Sequence, residues 1–97
     1  MAIVVSSRWT VAPGEQAAVE AALAELVPAT RREAGVIMLQ AHRDPEDDRV
    51  FYFYEQYVDA AAMEAHTQTA HFERWILGEC LPRIEQRVRG IYETWDP

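Results

Sequence analysis

Cysteine is almost missing from these 97 residues: there is one, Cys80. A single thiol cannot staple the fold internally, so noncovalent packing has to hold it, and a reducing compartment is expected. Cys80 sits in a helical apolar pattern with no ligand-spaced neighbour and reads as a small buried hydrophobe rather than a nucleophile. Glycine is scarce as well, with four in the chain. None of them builds a phosphate-cradling loop, which argues against a nucleotide cofactor. There is no HExxH, no HxH and no cysteine pair. His66 and His71 stand five apart across a break in helical pattern, so no metal site is expected from spacing. The neighbouring serines Ser6 and Ser7 lie on a strand without a nucleophile-elbow motif.

Long apolar runs are missing too. No segment suffices to span a bilayer, so no membrane partner is expected. The first residues, MAIVVSSRWTV, lack a charged leader and read as a strand rather than a signal peptide; a cytoplasmic protein is the expectation. Basic clusters are also absent. The formal net charge is −7 and the arginines are interspersed with acids. A nucleic-acid partner needs a clustered basic face, and none is present.

What remains is ordinary globular composition, 49% hydrophobic and 26% charged. The length allows one domain, residues 1–97, with a core modest enough that oligomerisation would help it. Residues 2–11 are rich in Ile, Val and Trp and read as a first strand, ended by Pro13-Gly14. Residues 14–33 read as a helix, since Val19, Leu23, Leu26 and Val27 recur at helical spacing. Pro28 is expected to kink its last turns or end it, and Gly35 to supply the stop. Val36 to Arg43 is a second strand, residues 44–48 a turn, and Val50 to Val58 a third strand dense in aromatics. Asp59 caps the next helix. Thr69 can cap a further helical piece over about 70–86, with Pro82 marking a bend or an early end. Residues 87–95 read as the last strand. The order β-α-β-β-α-β is the ferredoxin-like α+β arrangement with an antiparallel sheet.

The third strand bears on assembly. Phe51, Phe53 and Tyr57 lie on one face, and Val50, Tyr52, Tyr54 and Val58 on the other. Helices cover only one face of such a sheet, and a face left to water should alternate with polar residues. The simplest cover for the second face is the same face of a second copy, giving a homodimer.

Two residues stand out chemically. His66 follows Met63 by three on a helix, so both face inward. It is either a core histidine bonded to the backbone or a pocket residue. Glu55 interrupts an otherwise apolar strand with the parity of Phe51, Phe53 and Tyr57. It can hold His66 in one tautomer, or pair with an arginine at a dimer seam. Trp9 shares strand parity with Ser7, and Trp75 lies on the last helical piece; most aromatics fill the core or the seam, and some can line a cavity for a flat ligand.

Residues 33–35 read EAG, residues 42–59 HRDPEDDRVFYFYEQYVD, and residues 61–75 AAMEAHTQTAHFERW. In this order, with His71-Phe72 after the break, the chain resembles the antibiotic biosynthesis monooxygenase family over nearly its whole length. The resemblance implies a dimeric α/β barrel built from two sheets. It also implies oxygenation of a small phenolic, anthrone or quinol-type molecule without metal or flavin. His66 would then be the base, Glu55 its orienting group, Ser7 or Tyr57 a donor, and Trp9 and Trp75 walls for an aromatic or quinone-like ligand. The family's haem-degrading branch has asparagine, tryptophan and histidine where this chain has Ser7, His66 and Ile76, so haem degradation is not implied. The FYFYE run with His66 and Thr69-x-His71 looks at least as much like the isomerase branch, which handles a quorum-sensing sugar derivative. His-Phe at 71–72 recurs across the family's differing chemistries, which suggests that His71 is structural. A non-enzymatic binding dimer on this fold is a third reading.

Overall fold

The computed structural model describes all residues, 1–97. Strand β1 (Ile3–Val11) leads through a turn at Gly14, whose φ of 83° favours glycine, into helix α1 (Gln16–Arg31). Strands β2 (Val36–Asp44) and β3 (Asp47–Tyr57) form a hairpin. Helix α2 (Ala60–His66), a nine-residue π helix (Phe72–Cys80) and a 3-10 turn (Leu81–Arg83) precede strand β4 (Ile84–Glu93). All pairings are antiparallel, in the order β2-β3-β1-β4. This is the ferredoxin-like α+β fold expected from the order of elements.

The core lies between the helices and one sheet face. Trp9, Val11, Val19, Leu23, Leu26, Phe51 and Phe53 are buried there, with Ile76 and Cys80 from the π helix. The inward stripe of α1 is thus the one its spacing marks. Cys80 is fully buried, and burial pushes its thiol up to about 11. It is a packing residue that stays protonated near neutral pH. Asp59 caps α2 by accepting from the Ala62 N–H at 2.8 Å. Thr69 ties the next segment: its hydroxyl donates to the His66 carbonyl at 2.8 Å and accepts from the Phe72 N–H at 3.2 Å.

At Pro28 the early-end alternative is ruled out, and other local expectations are corrected. Helix α1 continues through Pro28 to Arg31. The lost backbone bond costs about 3 kcal/mol, but buried Leu26 and Thr30 on either side hold the last turn down. The piece expected over 70–86 is a π helix followed by a 3-10 turn. Phe72, Ile76 and Cys80, four apart, all pack against the core. Pro82 fits the first turn of the short 3-10 segment, where no N–H is needed, and β4 therefore starts at Ile84 rather than at 87. Asp44 and Asp47 belong to the hairpin strands, leaving Pro45 and Glu46 as the turn. Gly35 is not a left-handed cap, because no positive φ occurs there. A Cβ on it would stand 2.3 Å from the Ala62 Cβ. Its role is close approach, letting the turn after α1 touch α2.

The sheet's second face has no helix over it. Tyr52 and Tyr54 lie half-buried on it, and Met38, Val88 and Tyr92 are 50%, 55% and 60% exposed. No helix is long and apolar enough to cross a membrane.

Candidate functional site

A cavity of about 270 Å³ lies between the sheet and the helices. Twelve of its nineteen lining residues are hydrophobic, so it suits a mostly apolar ligand. Met63 and His66 both line it, as their three-residue spacing requires. From the sheet, β1 contributes Ser7 and Trp9, and β3 contributes Glu55 and Tyr57. Five of the six residues singled out in the sequence therefore meet around one space. Trp75 is not among the wall residues. It is half-buried against the core, with the Arg74 guanidinium 4.4 Å from its ring centroid.

His66 ends α2 and is buried, its ring edge-on to Phe72 at 5.1 Å and 5.8 Å from Tyr57. The carboxylate that holds it is not Glu55. Its Nδ1 lies 2.7 Å from Oε2 of Glu33, in the turn after α1. The same oxygen lies 2.7 Å from Nε2 of His71. One carboxylate oxygen thus joins two imidazoles from either side of the α2–π helix break. The Gly35–Ala62 contact seats the Glu33 turn against α2, and the Val58 N–H donates to the Gly35 carbonyl at 2.9 Å. His71 thus bonds across to the loop after α1. The helix break that separates the histidines in sequence lets their ring centroids stand 6.1 Å apart.

Glu55 is occupied elsewhere, accepting from the Tyr57 hydroxyl at 2.5 Å. Tyr57 is 1% exposed, and burial, reinforced by the adjacent Glu55 carboxylate, pushes its phenol far above the ordinary range. Tyr57 stays neutral, and its one proton is committed to Glu55. The expected roles of Glu55 as orienter of His66 and of Tyr57 as ligand donor are thus corrected: the two satisfy each other, because residues two apart on a strand share a face. His42 is exposed, with Nδ1 3.1 Å from the Tyr52 carbonyl.

Two cationic wall residues were not singled out in the sequence. Arg87 stands opposite Trp9 and Arg89 opposite Ser7 in the β1–β4 register. That places both on the helix side of the sheet, where they line the cavity. Neither is within salt-bridge distance of a carboxylate. Trp9 Nε1 and Thr30 Oγ1, both from wall residues, are buried without a hydrogen-bond partner. The site therefore combines a carboxylate-held imidazole, an apolar interior and two guanidinium groups without carboxylate partners.

Comparison with known proteins agrees with this architecture. The protein PA3566 of Pseudomonas aeruginosa is 32% identical with a TM-score of 0.89, over 98% of this chain and 95% of that one. SO0527 of Shewanella oneidensis is 30% identical with a TM-score of 0.85, over 94% and 88%. Rv0793 of Mycobacterium tuberculosis, at 16% identity and a TM-score of 0.89 over 100% and 98%, shares the fold. No curated protein matches the chain. The sequence profile of antibiotic biosynthesis monooxygenases matches residues 2–76, from β1 through α2 and into the π helix. The chain belongs to the antibiotic biosynthesis monooxygenase family.

Proposed function

We propose that the protein is an oxygenase of a small phenolic, anthrone or quinol-type substrate, working without metal or flavin, with His66 as its general base. The observation that carries this reading is the position of His66. Its ring lines a mostly apolar cavity while Nδ1 is held by Glu33 at 2.7 Å. A hydrogen bond to a carboxylate keeps the proton on Nδ1 and leaves Nε2 as the acceptor nitrogen. An imidazole so held can take a proton from an activated C–H or O–H, and the Glu33 charge stabilises the imidazolium that forms. The electron-rich carbanion or phenolate is the reductant of dioxygen. At a CH₂ centre the carbanion adds O₂ to give a hydroperoxide. Cleavage of the O–O bond with loss of the second C–H proton then leaves a carbonyl and one water. Ser7, Arg87 and Arg89 line the same cavity, where donors and positive charge favour a developing oxyanion. The volume of about 270 Å³ lies just below the roughly 300 Å³ at which drug-sized pockets begin, which suits a small ring compound.

Arg87 and Arg89 favour a second reading, isomerisation of a small phosphorylated carbonyl compound. There His66 would move a proton between neighbouring carbons while the arginines hold the phosphate. A purely binding role would use the same cavity but would not need the carboxylate-held imidazole in its wall. In either enzymatic reading the protein works as a homodimer, with the open sheet face as the seam.

A panel of anthrones, quinols and phosphorylated enediols, followed by oxygen uptake and product mass, tests the reading. Oxygen consumption with a product carrying one new oxygen supports the oxygenase. A product of unchanged mass without oxygen uptake supports the isomerase. His66→Ala should lower turnover about 100-fold or more while an unreactive analogue still binds. A folded His66→Ala protein with full turnover removes the base from the mechanism.

A further inference from the structure

We propose that Glu33, His66 and His71 form a binding site for a divalent transition-metal ion of the zinc class. Their ligand atoms, Glu33 Oε2, His66 Nδ1 and His71 Nε2, all lie within 4.8 Å of one another. Both nitrogens already converge on Oε2 at 2.7 Å. A tetrahedral zinc with bonds near 2.0–2.2 Å sets its ligand atoms about 3.3 Å apart. The two nitrogen–oxygen contacts therefore open by roughly half an ångström, and the two nitrogens, within 4.8 Å of each other, settle to the same spacing to hold the ion. Two imidazoles and one carboxylate are the borderline donors that suit zinc, nickel or copper(II), whereas calcium and magnesium take oxygen ligands.

Charge points the same way. The Glu33 side chain is 15% exposed, and its only ion-pair partners are the two histidines. No lysine or arginine pairs with this mostly buried carboxylate, and a bound cation supplies the fixed positive charge it lacks. The three donors are also held before any ion arrives. The Gly35–Ala62 contact fixes the Glu33 turn, and the Thr69 hydroxyl bridges the His66 carbonyl and the Phe72 N–H. The His71 side chain, 22% exposed, opens the cluster to solvent, from which an ion can enter and a water can serve as fourth ligand.

Binding does not depend on the base reading, but it has a consequence for it. A metal on Nδ1 moves the imidazole proton to Nε2. His66 would then donate into the cavity instead of accepting, and the ion would silence the base.

The test titrates the full chain, stripped with chelator and dialysed, with zinc chloride in a calorimeter. Cobalt(II) absorption serves as a second readout. The expected result is one ion per chain, with the intense visible bands of tetrahedral cobalt. Glu33→Gln and His71→Ala should each weaken binding by more than about 100-fold, since loss of an outer-shell partner alone costs 10–100-fold. His42→Ala, an exposed control, should leave it unchanged. Circular dichroism confirms that each variant is folded. His71→Gln, which keeps a polar group at the same place, replaces any variant that is not. Absence of stoichiometric zinc binding overturns the proposal. So does binding that survives both Glu33→Gln and the His71 variant.

Discussion

Replacing Glu33 by glutamine is the most informative single change. The side chains are nearly isosteric, so no cavity opens and the turn keeps its shape. What disappears is the charge on the oxygen that meets both His66 and His71 at 2.7 Å. A hydrogen bond to a charged group contributes about 1.5–3 kcal/mol against about 0.5–1.5 for a neutral one. Each contact then loses about 1 kcal/mol and the pair about 2. The groups are largely shielded from solvent, with side-chain exposures of 9% for His66, 15% for Glu33 and 22% for His71, so screening removes little of this. For a domain of this size that predicts a fall in Tm of roughly 10 °C. If His66 is the base, its imidazolium also loses its counter-charge, and turnover should fall about 100-fold or more. Thermal melts at neutral pH and oxygen uptake on the best panel substrate measure the two effects separately. A lower Tm with unchanged turnover would make Glu33 structural only. A Tm within about 2 °C of the parent together with full turnover would refute the reasoning, because the shared carboxylate would then be doing nothing.

Gly35→Ala forces a Cβ to 2.3 Å from that of Ala62 and should destabilise by about 1–3 kcal/mol. Combined with Ala62→Gly it should cost less than the sum of the two single changes in a double-mutant melt, and strict additivity would show that the close approach does not matter. Tyr54→Asp puts an unpaired charge on the open sheet face and should dissociate or unfold a dimer that buries about 2,000 Å² there. Light scattering reads the mass, and a parent protein that is monomeric at micromolar concentration would dispose of the seam.

Much of the fold was legible because periodicity encodes faces. The stripe of Val19, Leu23 and Leu26 marked the buried side of α1, and the two-sided apolar pattern of β3 marked a sheet with one face left over. Asp59 and Thr69 announced their caps through side-chain chemistry that needs only near neighbours. Met63 placed His66 on the inward face for the same local reason. The helix-end details went astray where tertiary packing outweighed local preference. Pro28 is tolerated inside a helix pinned by buried Leu26 and Thr30, and the piece after Thr69 winds as a π helix that no local pattern marked.

The sequence by itself determined the order of elements, the α+β class, the inward histidine and five of the residues that line the cavity. Only the tertiary structure decided who partners whom. Glu33 lies 33 residues from His66 and 38 from His71, and in sequence it resembles any surface acid beside a helix end. Glu55, two residues from Tyr57, is taken by that neighbour and never reaches His66. Arg87 and Arg89 enter the cavity because β4 pairs with β1 in one register, and no local pattern records a register between strands some 80 residues apart. Periodicity tells a side chain which way to point. The partner it meets there is fixed by chain segments that only folding brings together.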